Sequence, residues 1–259
     1  SMGGKPLRVL VTRPSGQARG LCEALQRAGH VAFHCPMLEL EPLEELPAEA
    51  RQRILDLDLY GQVIFISGNA VRFGMELIAD YWPQLPVGIT WYAVGHSTAR
   101  LLADYGLNPE IPRTEMSSEG LLALPGLQAV AGQRLLIVKG EGGREMLATA
   151  LRQRGAAVDT LSCYRRRRPD LQPGELARRL VDCDIDTILI SSGEGLSNLL
   201  ALLSPEETTK FSAVPLVVPS ARVATLACEA GFSQVIRAAN ASDEAAVAAL
   251  EQNVYSSGD

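Results

Sequence analysis

The sequence predicts an α/β protein with two similar domains, each a parallel sheet flanked by helices, joined by two extended linkers. Three observations predict it. Short, continuous apolar segments of the kind that form strands buried on both faces alternate with segments of helical periodicity along the chain. The pattern occurs twice, with the second copy displaced first by 126 and then by 124 residues. Two proline-bounded stretches fall at nearly equivalent places in the two copies.

The first copy opens on Arg8-Val9-Leu10-Val11-Thr12-Arg13, which lies over Arg134-Leu135-Leu136-Ile137-Val138-Lys139 at a shift of 126. The same shift superposes Gly16 on Gly142, Leu21 on Leu147, Leu25 on Leu151 and Gly29 on Gly155. Each copy reads as a strand, a glycine turn, a helix with apolar residues three to four apart, a glycine C-cap and a further strand. The extended stretches follow, Pro36-Met37-Leu38-Glu39-Leu40-Glu41-Pro42 and Cys163-Tyr164-Arg165-Arg166-Arg167-Arg168-Pro169. Proline removes a backbone donor and disfavours helix at the residue before it, so both read as linkers. Beyond them Val63-Ile64-Phe65-Ile66-Ser67 lies over Thr187-Ile188-Leu189-Ile190-Ser191, and Val94-Gly95-His96-Ser97 over Val218-Pro219-Ser220-Ala221, both at 124.

The 259 residues, 47% of them hydrophobic, give enough apolar surface for two cores. No apolar run of about 20 residues is present, and the N-terminus lacks the charged, apolar and small-residue order of a secretory signal. A cytoplasmic protein without a membrane segment is expected. The five cysteines are scattered without a C-x-x-C pair, and the three histidines (His30, His34, His96) have no metal-ligand spacing, so neither a metal nor a cofactor is expected. A net charge of −6 argues against nucleic acid as partner, because phosphate backbones need a basic surface. Small anions stay open to an acidic protein, since backbone amides can bind them locally.

In open parallel sheets ligands bind beyond the carboxyl ends of the strands. Six strand-to-helix turns there carry small polar residues: Thr12-Arg13-Pro14-Ser15, Ser67-Gly68-Asn69, Gly95-His96-Ser97-Thr98, Lys139-Gly140-Glu141-Gly142-Gly143, Ser191-Ser192-Gly193 and Pro219-Ser220-Ala221-Arg222. Serine and glycine also cap helices and form turns for purely structural reasons. As a set of six from two facing domains, they are expected to ring one cleft for a small anion. The loop Gly140-Glu141-Gly142-Gly143 is not G-x-G-x-x-G, no Walker lysine follows a glycine loop, and Ser191-Ser192-Gly193 lacks a nucleophile elbow. Nucleotide binding and acyl transfer are therefore disfavoured. His96 is assigned no chemistry. Arg165 to Arg168 is the one dense basic run, and Tyr164 beside it has a phenol that both donates and accepts.

From Val9 to about Tyr255 the chain resembles the uroporphyrinogen-III synthase family. The resemblance rests on Val9-Leu10-Val11-Thr12-Arg13-Pro14, Pro36 to Pro42, Phe65-Ile66-Ser67-Gly68-Asn69-Ala70-Val71, Val94-Gly95-His96-Ser97-Thr98-Ala99, Ser117-Ser118-Glu119-Gly120-Leu121-Leu122, Tyr164, and Pro219-Ser220-Ala221-Arg222-Val223-Ala224, in that order. It implies a discontinuous domain of residues 1–36 plus 169–259, a second domain of residues 37–168 that includes the linkers, and a flexible hinge.

It also implies a substrate, hydroxymethylbilane, a linear tetrapyrrole with eight carboxylates, and a dehydrating ring closure that inverts the last pyrrole through a spiro intermediate. Tyr164 is then the candidate general acid for the departing hydroxyl. Thr12, Arg13, Ser67, Gly68, Asn69, Ser97, Thr98, Lys139, Gly140, Ser191, Ser192, Ser220 and Ala221 are the candidate substrate-binding residues. A monomer acting on this small molecule, without nucleic acid or membrane, is expected. The alternative is a non-enzymatic two-domain module that binds or senses a small anion.

Overall fold

The structure, a computed structural model, describes residues 4–257. Along the chain the strands are β1 (Arg8–Val11), β2 (Val31–His34), β3 (Glu39–Pro42), β4 (Gln62–Phe65), β5 (Thr90–Ala93), β6 (Arg134–Lys139), β7 (Ala157–Ser162), β8 (Tyr164–Arg167), β9 (Thr187–Leu189), β10 (Leu216–Val218) and β11 (Val235–Arg237). They make a five-stranded sheet of order β11-β10-β9-β1-β2, a four-stranded sheet of order β5-β4-β6-β7, and the pair β3-β8. Both larger sheets are parallel, with helices between successive strands, the α/β class the sequence predicts.

The chain divides into two compact units. One holds the chain up to Leu40 and again from Arg167 on, and the other holds Glu41–Arg166. The boundaries fall inside β3 and inside β8, so the two expected linkers are strands paired with each other.

Hydrogen-bond register measures the internal repeat independently of side-chain identity. Val9 on β1 lies opposite Thr187 on β9, and Leu135 on β6 lies opposite Gln62 on β4. Because Leu135 follows Val9 by 126 residues, Thr187 corresponds to Gln62, a shift of 125. The overlay of Val63 on Thr187 is therefore one residue out: Ser67 corresponds to Ser192, and Gly95 to Ser220. The helix starts agree, since Ser67 and Ser192 are both N-caps, as are Gly95 and Ser220. In these terms β4, β5, β6 and β7 match β9, β10, β1 and β2, and the neighbours run in the same order in both sheets. Each unit is thus assembled from half of one copy and half of the other.

In the five-stranded sheet Leu10 and Ile188 face a core closed by helices Glu175–Asp182, Gly193–Leu202 and Ala221–Glu229. Val9, Val11 and Leu189 face the opposite side, under Leu21 and Leu25 of helix Arg19–Arg27 and Leu250 of helix Asp243–Ser257. In the four-stranded sheet Ile64, Leu135 and Ile137 pack beneath Leu147 and Leu151 of helix Met146–Gln153. Covering on both faces is why the central positions of β1, β4, β6 and β9 are apolar, with polar residues only at their ends. The C-caps recur as well. Gly29 (φ 89°) and Gly155 (φ 91°) take the left-handed conformation that ends a helix, and the next amides, of His30 and Ala156, bond Leu25 O and Leu151 O at 2.9 and 3.2 Å. Among the described residues no helix is long and apolar enough to cross a membrane.

His30 follows the first of these caps. The Leu7 N–H donates to its Nδ1 at 3.0 Å, which requires the neutral ring, and its Nε2 is buried without a hydrogen-bond partner among the described residues. Burial holds its pKa below the ordinary 6.5, against a smaller opposing pull from the Glu251 carboxylate. With the folded value depressed, the unfolded chain takes up the proton first, so the stability from neutral His30 is present above 6.5 and is lost as pH falls through the lower, folded value. Melting temperatures taken from about pH 8 to about pH 5 are expected to fall more steeply for the wild type than for His30→Gln. Parallel slopes would refute this.

Candidate functional site

The candidate residues lie where the topology of parallel sheets puts a ligand, at the carboxyl ends of strands. In the unit Glu41–Arg166, Ser67 follows β4, Ser97 and Thr98 follow β5, and Lys139 and Gly140 close β6. In the other unit Thr12 and Arg13 follow β1, Ser191 and Ser192 follow β9, and Ser220 and Ala221 follow β10. Each unit therefore gathers its own candidates at one end of its own sheet.

Local sequence explains the form of each turn. Ser67, Ser192 and Ser220 have extended backbones and cap helices: their Oγ atoms accept from Ala70 N at 3.0 Å, Gly195 N at 3.0 Å and Val223 N at 3.3 Å. This uses the third amide of each helix and leaves the hydroxyl hydrogen able to donate. Gly95 stands at the corresponding place before helix His96–Ala103 and offers no side-chain cap, so the amides of that turn have no serine competing for them. Positive helix ends of this kind, in helices of eight residues or more, favour carboxylates.

Burial sorts the candidates. Ser67, Gly68, Asn69, Ser191, Ser192 and Ser220 are half-buried, and Ser97 and Ala221 are exposed. Asn69 Oδ1 accepts from Arg72 at 3.1 Å. Thr12 and Thr98 are each only 2% exposed, and the Thr12 hydroxyl donates to Leu189 O at 2.6 Å, so these two side chains serve the protein interior. Arg13 is paired with Asp243 at the start of helix Asp243–Ser257 and also donates to Ala241 O at 3.1 Å. Lys139 is 6% exposed and has an ion pair with Glu145 at 3.8 Å.

Tyr164 is 2% exposed. Its ring stacks on Phe73, centroids 5.0 Å apart, and its other side lies against Gly140, where a Cβ would come within 2.5 Å of Cε2 and Cζ. The Arg166 guanidinium lies 5.5 Å from the ring centroid, and its Nη2 donates to the Tyr164 hydroxyl at 3.5 Å. Next to it, burial pushes the Cys163 thiol up to about 12, and the thiol donates to Lys139 O at 3.1 Å, which makes it a structural group and no nucleophile. The basic run is tied down locally: Arg165 pairs with Glu141 at 3.3 Å, Arg166 donates to Glu141 O at 2.8 Å, and Arg167 pairs with Asp170 at 3.3 Å. Among the described residues no group of three His, Cys, Asp or Glu side chains could hold a metal ion.

Three participants escape a reading of the sequence. Phe73 backs Tyr164 from the middle of helix Gly68–Tyr81, and Asn198 anchors the chain beside β3 by donating to Met37 O at 2.8 Å. Asp243 neutralises Arg13 across 230 positions. Only the last leaves a trace, an acid in the first turn of the final helical segment.

A family model described as "Uroporphyrinogen-III synthase HemD" matches residues 20–248. The chain is 34% identical over 251 residues to the uroporphyrinogen-III synthase of Escherichia coli (strain K12), covering 95% of this chain and 100% of that protein. Among solved structures it resembles a mutant uroporphyrinogen III synthase from the extremely thermophilic bacterium Thermus thermophilus (TM-score 0.65, 16% identity, 96% of this chain and 99% of that one). It also resembles uroporphyrinogen-III synthetase from Helicobacter pylori 26695 (TM-score 0.57, 15% identity, 95% and 98%). At these identities the two structures speak for the fold.

Proposed function

Because the chain belongs to the uroporphyrinogen-III synthase family, we propose that it closes hydroxymethylbilane to the macrocycle with an inverted last ring and releases one water. The observation that carries this reading is the match to the Escherichia coli enzyme over that enzyme's full length. The serine and glycine turns of both units support it by offering amide and hydroxyl donors suited to a ligand with eight carboxylates.

The chemistry asks little of the protein by way of strong acids or cofactors. A pyrrole nitrogen lone pair expels the hydroxyl of the terminal hydroxymethyl group, which leaves as water on taking a proton, and an azafulvene remains. The substituted carbon of the last pyrrole attacks its methylene carbon to form the spiro intermediate, which fragments and recloses with that ring reversed. Tyr164 is our candidate donor of the proton to the leaving hydroxyl, a role in which the Arg166 contact gives way to the substrate. Since the bilane also closes without a catalyst to the non-inverted isomer, the main task of the protein is to hold one conformation. We place the reaction in the cytoplasm, carried out by a monomer.

Freshly generated hydroxymethylbilane should be incubated with the protein and the products resolved by chromatography. Isomer III is expected to predominate, at a rate proportional to protein. If isomer I alone forms at the spontaneous rate while the bilane is bound, the chain is a binding module.

A further inference from the structure

We propose that Lys139 and Ser118 form a pocket in the unit Glu41–Arg166 that takes one carboxylate arm of the substrate. The inference rests on the function proposed above and comes from a difference between the two copies of the repeat. Arg13 and Lys139 correspond, each a basic residue at or just beyond the end of an equivalent strand. Ser242 and Ser117 also correspond, at the shift of 125, and act alike: their Oγ atoms accept from Ala245 N and Gly120 N, each at 3.1 Å. The residue after each cap is Asp243 in one copy and Ser118 in the other. In one unit, then, the base is locked by an acid, while in the other the acid's place holds a hydroxyl.

The consequence for Lys139 is visible in its surroundings. It is 6% exposed, and its Nζ makes no hydrogen bond among the described residues. Its ion-pair partner, Glu145, is 3.8 Å away with a side chain 67% exposed, too far to bond and largely hydrated. Glu119, next to Ser118 in the sequence, is held by Arg144 at 2.8 Å. Lys139 and Ser118 line one pocket with the apolar Ile66, Ile137 and Leu147, and Arg144 and Glu145 line it as well. A buried ammonium without a bonded acceptor is unfavourable, and a carboxylate entering there supplies the acceptor in a low-dielectric setting. The apolar walls suit the methylene groups of an acetate or propionate arm, and the Ser118 hydroxyl can donate to the second oxygen.

Two variants test this. Lys139→Met keeps the bulk and removes the charge. Ser118→Asp rebuilds in this unit the lock that Asp243 makes on Arg13. Each is expected to raise KM for hydroxymethylbilane about 10- to 100-fold, the worth of a charge-assisted hydrogen bond, with a smaller change in kcat. Ser118→Asp should do so without lowering the melting temperature, which a merely structural role for Lys139 would not produce. Titration with uroporphyrin, an octacarboxylate read by fluorescence, should show the same loss of affinity without any turnover. Ser118→Asp with wild-type KM and wild-type porphyrin affinity overturns the pocket. A wild type that binds the porphyrin through Lys139 but makes no isomer III overturns the enzymatic reading and leaves the pocket standing.

Discussion

Replacing Gly120 by alanine is expected to cost about 3 kcal/mol or more and to lower the melting transition of its unit by roughly 10 °C. A Cβ at this position would lie 1.8 Å from the backbone oxygen of Glu115 and 3.0 Å from Pro112 Cβ. That carbonyl cannot easily retreat, because it accepts from Ser117 N at 3.0 Å while the Ser117 hydroxyl accepts from Gly120 N at 3.1 Å. The turn is closed from both ends around a residue with no side chain. Calorimetry of the purified variant decides the matter, and an unchanged melting profile would show that the turn can relax. Ser117 to Leu122 also leads into the Lys139 pocket, so a partly folded Gly120→Ala protein should lose affinity for substrate before it loses its far-ultraviolet signal.

The second large effect concerns Tyr164. Tyr164→Phe preserves the stack on Phe73 and the contact with Gly140, so it removes the hydroxyl and little else. It is expected to lower kcat about 10- to 100-fold at unchanged melting temperature if the hydroxyl delivers the proton. Gly140→Ala attacks the same group from behind. Its Cβ would meet the Tyr164 ring at 2.5 Å, and the ring cannot move toward Phe73 without losing that stack. A stability loss of about 2 kcal/mol and a fall in kcat/KM of about 100-fold are expected together. Full rate and full isomer selectivity in Tyr164→Phe would remove Tyr164 from the chemistry, whatever Gly140→Ala does.

Much of this arrangement was legible in the sequence, and the parts that were not had physical reasons. Continuous apolar strands announced buried parallel sheets, and the glycines at 29 and 155 marked two helix ends that recur with nearly identical φ. The second half of the repeat was matched one residue out. Val63, Ile64 and Phe65 are fully buried, as is nearly all of Ile188 and Leu189, so these strands lack the in-out alternation that would fix a register. The doublet Ser191-Ser192 then offered Ser67 two partners of equal appearance, and only the cap geometry chose between them.

The site was legible as a set of turns and not as a set of environments. Composition could place Thr12 and Thr98 after strands, but their burial depends on helices that arrive from elsewhere in the chain. Tyr164 was singled out from its position at a linker. That its ring is clamped between Phe73 and Gly140 depends on residues 91 and 24 positions away.

The interleaving of the two copies also sets a timetable for synthesis. The unit Glu41–Arg166 has all of its strands once β8 has left the ribosome, whereas β1 sits between β2 and β9 and must wait about 175 residues for its second neighbour, on the order of 10 to 35 s of translation. Until then one edge of β1, apolar from Val9 to Val11, has no neighbour to pair with. A nascent chain cut after β6 would leave two incomplete sheets and no finished one, so neither copy of the repeat is a folding unit on its own.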